Sequence, residues 1–256
     1  MDLFAAEGQP SPEKQVLENL LALDVASEEL ERYGVHPDQF IEWYGPEDGT
    51  VICFIHGGFF HEDGTLRYLR PSALALGEEG YRIALPEFRR VPGNPAPSLE
   101  DMATLARHPL LANATWLGHS AGSLNVLNVL FNTELQPSHG VVLAPIFDLR
   151  RDAEEFPNLS ASKTVHWLGG TPDRIPDVYQ EYDPAVRYSR LGADGFVGAG
   201  YRLDIIHGAL DATIPIQRTR DLATEPFNIA IVPDANHNDV IRPGHDAWLF
   251  LLGALG

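Results

Sequence analysis

The stretch ATWLGHSAG, residues 114–122, places a serine two positions from a glycine on either side, directly after a short apolar run. The run predicts the end of a buried strand, and the apolar residues at 121–131 predict a helix. A serine at such a junction predicts a turn so tight that only glycine fits beside it, with the Ser120 hydroxyl exposed. The alternative is an ordinary strand end with a loose turn, since G-x-S-x-G arises by chance in about one chain in ten of this length.

The rest of the chain has the alternation of strand and helix patterns that is typical of an α/β fold. Most of its apolar runs do not alternate with polar residues, which is typical of strands buried on both faces of a parallel sheet. Helical patterns lie between and around these runs, so we expect a mostly parallel sheet covered by helices. The predicted strands lie at 39–44, 50–55, 81–85, 115–117, 140–143, 203–206 and 228–232, and the predicted helices include 12–33, 121–131 and 246–252.

Residues 149–190 interrupt this alternation, since they contain aromatic residues among glycines and prolines. We predict one domain over residues 1–256, in which this segment forms a cap or lid over the carboxyl edge of the sheet. Ligands bind at that edge in open α/β sheets. The alternative is a structural insertion that never meets a substrate.

The composition excludes several classes of partner. The formal net charge of −18 repels nucleic acid and anionic membranes. No apolar run approaches the roughly 18 residues of a membrane span. Residues 1–4 lack the basic and apolar regions of a signal peptide, so we expect a cytoplasmic protein.

The single cysteine, Cys53, cannot form an intrachain disulfide and is expected in the core. The oligomeric state stays open.

Two further residues suit a proton relay with Ser120. A serine hydroxyl is a poor nucleophile near pH 7 and needs a base, which in turn needs an orienting group. Asp211 follows the predicted strand 203–206, and His237 follows the next predicted strand, 228–232. Neighbouring parallel strands would bring both side chains to the same rim as the serine, in the chain order serine, acid, histidine.

Other histidines and acids compete for these roles. His207 lies upstream of Asp211, in the wrong order for the base. Asp234 and Asp239 flank His237 and are expected as a cap and a helix start.

The sequence HGGFF, residues 56–60, supplies candidate oxyanion donors. Two glycines after a strand let backbone N–H groups approach a substrate closely. We expect the amides of Gly58, Phe59 and Ala121 to hold a developing oxyanion. The alternative is a plain glycine turn. His56 is expected to hold this loop by hydrogen bonds. A metal site at His56 and His61 lacks further ligands at suitable spacing, so we expect no metal.

Taken together, these residues resemble the α/β-hydrolase superfamily over nearly the whole chain. The element at 56–60 resembles the HGGxW element of the kynurenine formamidase (arylformamidase) and small-esterase branch, with Phe60 in place of tryptophan. Asp183 stands where the cap of that branch usually has serine before proline. Further similar segments are 118–122, 143–149, 168–172, 182–184, 208–211 and 236–237.

The resemblance implies a serine hydrolase without metal or other cofactor. Its substrate would be a small molecule, either N-formylkynurenine, from which formate is removed, or a small acyl ester. We expect Phe60, His61, His119 and Trp167 to line the substrate pocket. Phe59 and Phe60, together with the aromatic cap, are expected to bury an aromatic leaving group. A general carboxylesterase or thioesterase, a peptidase and a non-catalytic ligand-binding relative are the alternatives.

Overall fold

The computed structural model describes residues 10–27, 29–155 and 159–256. The segment that bears on a signal peptide, residues 1–4, lies outside this described part. The described helices are all too short or too polar to span a bilayer.

The described residues form an eight-stranded sheet in the order β1-β2-β4-β3-β5-β6-β7-β8. β1 pairs antiparallel with β2, and β2 pairs antiparallel with β4. The other six strands, β4, β3, β5, β6, β7 and β8, run parallel to one another. The predicted α/β-hydrolase fold is thereby confirmed. The strands are β1 Glu29–Arg32, β2 Phe40–Tyr44, β3 Thr50–Ile55, β4 Tyr81–Glu87, β5 Thr115–His119, β6 His139–Leu143, β7 Arg202–Gly208 and β8 Asn228–Val232.

Helices cover both faces of this sheet. They are α1 Pro12–Ala22, α2 Arg70–Glu78, α3 Ala96–Leu105, α4 Ala121–Leu130, α5 Leu149–Glu155, α6 Leu159–Leu168, α7 Pro176–Tyr182, α8 Pro184–Gly198, α9 Gln217–Arg220 and α10 Ala247–Leu255. The backbone of α8 breaks at Gly192. Short 3₁₀ turns lie at Leu66–Leu69 and Asp239–Ile241.

Strand β3 is covered on both faces, which explains its nearly continuous apolar sequence. Ile52 and Phe54 pack into a cluster with α1, α2 and α10, whereas Cys53 and Ile55 pack on the other face with α3, α4 and α8. Because side chains alternate along a strand, both faces must be apolar when both are covered. Cys53 is a buried core residue, as expected.

The predicted helix at 12–33 is wrong beyond Ala22. Leu23 leaves the helix in an extended conformation, and residues 29–32 form the edge strand β1. This strand pairs antiparallel with β2, and Trp43 donates a hydrogen bond from Nε1 to Glu31 at 3.0 Å. Glutamate and leucine favour helix locally, but pairing with a distant strand overrides that preference.

Strand β4 continues two residues beyond its predicted end at Leu85. Pro86 lies inside the strand, opposite Ile41 of β2. The pairing of β3 with β4 ends at Cys53↔Ala84, so the missing N–H of Pro86 removes no bond on that side.

The described parts of the segment 149–190, residues 149–155 and 159–190, form helices between β6 and β7. Side chains of this segment, including Trp167 and Tyr179, share a hydrophobic cluster with Phe60, Ala121 and Ile214, which follow strands β3, β5 and β7. The insertion therefore packs beside the carboxyl ends of the strands. Asp183 caps α8 by accepting a hydrogen bond from the Ala185 amide at 3.1 Å.

Candidate active site

Ser120 occupies a strained turn between β5 and α4. Its backbone has φ 53° and ψ −126°, in a region that costs a non-glycine residue about 1–3 kcal/mol. A Cβ on Gly118 would lie 2.8 Å from the Gly122 carbonyl oxygen, and one on Gly122 would lie 2.3 Å from the Ile55 carbonyl oxygen. Both glycines are therefore required by close backbone contacts, as their spacing predicted.

The three side chains predicted to form a proton relay lie in one hydrogen-bonded line. His237 Nε2 is 3.0 Å from Ser120 Oγ, and His237 Nδ1 is 2.8 Å from Asp211 Oδ2. A carboxylate can only accept, so Nδ1 carries the proton and Nε2 accepts from the serine hydroxyl. The turns after β5, β7 and β8 thus meet at one rim of the sheet.

Asp211 is held by more partners than His237 alone. Its Oδ1 accepts hydrogen bonds from the amides of Thr213 at 2.8 Å and Ile214 at 2.7 Å. Its Oδ2 also lies 3.0 Å from His207 Nε2, while His207 Nδ1 lies 2.7 Å from Thr219 Oγ1. His207 is therefore the second histidine on the acid. The only sequence signal for it was its four-residue spacing from Asp211 at a strand end.

Burial and charge act in opposite directions on this pair. Burial by itself raises the pKa of the Asp211 carboxyl, but the charge of His237 and hydrogen bonds from His207 and His237 outweigh it and leave the pKa below its ordinary value. Burial lowers the pKa of His237, but Asp211, with a contribution from Glu13, leaves it raised. The environment thus stabilises the protonated imidazole beside an ionised carboxylate.

A second hydrogen-bonded chain joins the loops around Ser120. The Gly57 amide donates to the Tyr68 hydroxyl at 2.7 Å, which lies 3.0 Å from His119 Nδ1, and His119 Nε2 lies 2.9 Å from the His237 carbonyl oxygen. Burial and the nearby His237 lower the pKa of His119 to about 3, so its ring is neutral. Nε2 must then donate to the carbonyl, and Nδ1 accepts from Tyr68.

The loop after β3 has the backbone that close approach to a ligand demands. Gly58 has φ 109°, Phe59 55° and Phe60 58°. A Cβ on Gly58 would lie 2.6 Å from Gly64 Cα, so the two ends of the loop are in backbone contact. The amides of Gly58, Phe59 and Ala121 donate no hydrogen bond to another described residue, which leaves them available to an acceptor.

A buried ion-pair cluster holds this loop from behind. His56 Nε2 lies 2.8 Å from Glu87 Oε1, and the Leu66 amide donates to Glu87 Oε2. Arg90 pairs with Glu87 and donates from Nε to the His61 carbonyl at 3.1 Å. His56 therefore supports the loop as expected. Within the described residues, no group of three or more His, Cys, Asp or Glu side chains is arranged to hold a metal ion.

A cavity of about 500 Å³ opens onto Ser120 and His237. Helix α1 forms part of the lining, a feature that the sequence did not suggest, and the loop after β3 forms another part. The described lining residues are Ser11, Glu13, Lys14, Leu17, Leu21, Gly58, Phe59, Asp63, Gly64, Thr65, Tyr68, His119, Ser120, Thr213, His237 and Asn238.

The predicted pocket residues lie in three places: His119 in this cavity, Phe60 and Trp167 in the core, and His61 at the surface. His119 lines the cavity, but Phe60, His61 and Trp167 are not among its described lining residues. Phe60 stacks on Trp167 with ring centroids 4.0 Å apart, and both rings are buried in the cluster with the 149–190 helices. That packing keeps Phe60 out of the cavity lining. Leu17 and Leu21 of α1 line the cavity, whereas the sequence predicted aromatic residues of the cap.

The described sheet and the site at its carboxyl edge define an α/β-hydrolase fold. Solved structures share it at low sequence identity. An esterase from the planctomycete Thermogutta terrifontis, solved with propionate bound, has a TM-score of 0.60 and 17% identity over 88% of this chain and 90% of its own. An esterase/lipase from an uncultured bacterium has a TM-score of 0.63 and 16% identity over 98% and 91%.

Part of a larger enzyme has the same fold. The acylaminoacyl peptidase of Pyrococcus horikoshii has a TM-score of 0.66 and 18% identity over 88% of this chain but 40% of its own. Neither a protein-family model nor a curated protein matches this sequence.

Proposed function

We propose that the protein is a serine hydrolase that cleaves a small acyl ester or aryl formamide through an acyl-enzyme. The observation that carries this proposal is the continuous line from Ser120 through His237 to Asp211, with hydrogen-bond distances of 3.0 and 2.8 Å. A nucleophile in contact with an oriented base is the arrangement that acyl transfer requires.

In the first half of the reaction, Ser120 Oγ attacks the substrate carbonyl carbon while its proton moves to His237 Nε2. The carbonyl oxygen becomes an oxyanion, which the amides of Gly58, Phe59 and Ala121 stabilise. The resulting imidazolium is stabilised by Asp211. His237 then donates its Nε2 proton to the leaving alcohol or amine as the tetrahedral intermediate collapses to acyl-Ser120.

In the second half, His237 removes a proton from a water molecule, whose oxygen attacks the acyl-enzyme carbonyl. Collapse of the second intermediate releases the carboxylic acid, or formate from a formamide, and returns the proton to Ser120 Oγ. The bond broken is the one between the acyl carbon and Ser120 Oγ. Asp211 keeps the Nδ1-protonated tautomer of His237 throughout.

Turnover of p-nitrophenyl acetate tests the class of reaction. We expect the Ser120→Ala variant to lose hydrolysis, whereas Ser189→Ala, at an exposed serine of α8, should retain the wild-type rate. A fluorophosphonate probe should label the folded wild type at Ser120. Equal rates in wild type and Ser120→Ala, or no labelling of Ser120, would instead favour a non-catalytic ligand-binding protein of this fold.

A second candidate substrate class is esters that carry an apolar group, and the lining of the cavity favours it. Leu17 and Leu21 of α1 face the site together with Phe59. Such a wall gains free energy by covering apolar surface, at about 25 cal/mol per Å². The formamidase proposal depends instead on the HGGxF element and its resemblance to formamidases.

Measuring kcat/KM for N-formylkynurenine and for p-nitrophenyl acetate and butyrate separates the two candidates. A general esterase should prefer butyrate, and truncation by Leu17→Ala should reduce that preference. A formamidase should instead hydrolyse N-formylkynurenine better than either ester.

A further inference from the structure

The helix α1 sends one carboxylate between the two loops that hold the acid and the base. Glu13 Oε1 accepts hydrogen bonds from the Ala212 amide at 2.6 Å and the His237 amide at 3.4 Å, and Oε2 accepts from the Thr213 hydroxyl at 2.7 Å. We infer that Glu13 is a positioning residue that ties the Asp211 loop to the His237 loop. This inference rests on the proposed hydrolase function.

The helix is anchored well enough to position other groups. Ser11 caps its N-terminus by accepting from the Lys14 amide at 3.3 Å, and Val16 and Leu20 are buried in the core against the sheet. The side chain of Asn238, next to the base, donates to the Glu13 carbonyl at 2.9 Å. Glu13 therefore meets the His237 loop through both its side chain and its main chain.

The contacts of Glu13 lie at the loop tips. The same two loops are joined nearer the sheet by backbone bonds from Ala209 to Val232 at 2.8 Å and from Leu210 to Ala235 at 3.0 Å. Those bonds continue the pairing of β7 with β8, but they end before the reactive side chains. Glu13 supplies the link beside Asp211 and His237 themselves, where small displacements change the proton-transfer geometry.

Glu13 also acts on His237 through its charge. Among the described residues, the titratable groups in contact with His237 are Asp211 at 2.8 Å, Glu13 on α1, and the neutral His119, whose ring centroid lies 5.0 Å away. Lys14, Asp63 and Tyr68 line the same cavity. Burial lowers the pKa of His237, and the negative charges of Asp211 and Glu13 raise it. Neutralising Glu13 should therefore lower the pKa of His237, which a purely structural role on the helix surface would not do.

The experiment compares Glu13→Gln and Glu13→Ala with Glu18→Gln. The last is a matched control, because Glu18 is an exposed acid of the same helix whose partner is the exposed Lys14. Steady-state kinetics with p-nitrophenyl acetate give kcat, KM and the pH profile, and an NMR titration follows the ring protons of His237. Melting curves confirm that each variant is folded.

We expect Glu13→Ala to lower kcat by about 10- to 100-fold, since a 1 Å misplacement of reacting groups costs up to about 100-fold in rate. The loss in kcat should exceed any change in KM. In Glu13→Gln, the His237 midpoint and the acid limb of kcat/KM should both move to lower pH. Glu18→Gln should match the wild type in every measurement.

An unchanged kcat in Glu13→Ala, or an unchanged His237 midpoint in Glu13→Gln, overturns the inference. A loss of kcat without a shift of the midpoint does not support it, because general loosening of the fold would also reduce activity. If Glu13→Ala does not fold, Glu13→Gln carries the test alone. A wild type that hydrolyses no ester or formamide would refute the proposed function. The NMR comparison would still test Glu13, so the two failures are distinguishable.

Discussion

Replacing Gly122 with alanine tests whether close backbone packing sets the geometry of the nucleophile. The added Cβ would lie 2.3 Å from the Ile55 carbonyl oxygen and 2.5 Å from that of His56. Real Cβ contacts are essentially never shorter than 3.0 Å, so the first turn of α4 must move from the end of β3 by at least about 0.7 Å, the difference between 3.0 and 2.3 Å. Both atoms met are backbone, so no side-chain rotation relieves the contact.

The displacement separates Ser120 from the loop that begins at His56. Because a 1 Å misplacement costs up to about 100-fold in rate, we expect kcat to fall by about 30- to 100-fold. Alanine gains up to about 1 kcal/mol over glycine inside a helix, but overpacking costs about 1–3 kcal/mol, so the steric effect wins. An overpacking cost of about 2 kcal/mol less a gain of about 1 kcal/mol leaves a net loss of about 1 kcal/mol, which would lower Tm by about 2–4 °C.

Ester hydrolysis and thermal unfolding of the purified variant measure both effects. Gly253→Ala is the matched control, because a Cβ on Gly253 in α10 meets nothing within 4 Å. The control should keep the wild-type kcat and an equal or higher Tm. If Gly122→Ala were indistinguishable from Gly253→Ala in both measurements, the steric account of the turn would be refuted.

Three further predictions concern the proton relay and its support. Asp211→Asn should lower kcat by about 10⁴-fold in ester hydrolysis, because an amide does not hold the Nδ1-protonated tautomer of His237; a loss below tenfold would contradict the role of the acid. The kcat/KM of the wild type should fall as pH drops through the pKa of His237, because only the neutral ring accepts a proton. The midpoint should lie above 6.5, since the pKa of His237 is raised, and a midpoint below 6.5 would contradict this. Tyr68→Phe should lower the free energy of unfolding by about 1–3 kcal/mol in urea denaturation, because the buried Gly57 amide and His119 Nδ1 each lose a partner; unchanged stability would mean that water replaces the hydroxyl.

Much of the sheet could be predicted from local sequence. Strands β3 and β8 have the predicted bounds, 50–55 and 228–232, because a continuous apolar run is what burial on both faces requires. The edge strand 29–32 could not be found this way. Its sequence, ELER, has no apolar run, and its conformation depends on pairing with β2.

The candidate relay could be predicted for a similar reason. Ser120, Asp211 and His237 follow strands that the sequence identified, and parallel strands place their carboxyl ends at one edge. Of the four residues predicted to line the pocket, His119 is the one that does so in the described part of the chain. Phe60 and Trp167 are aromatic residues in plausible positions, but they stack on each other in the core.

Local sequence patterns are sufficient to predict the α/β class, the turn at 118–122 and the chain order of the three relay residues. Each depends on neighbours within a few positions or on the rule that parallel strands share an edge. Three features depend on long-range packing: His207 shares Asp211, Glu13 joins the two loops, and α1 lines the cavity. Glu13 and His237 are more than 200 residues apart, and only the packing of α1 on the sheet brings them within hydrogen-bond distance.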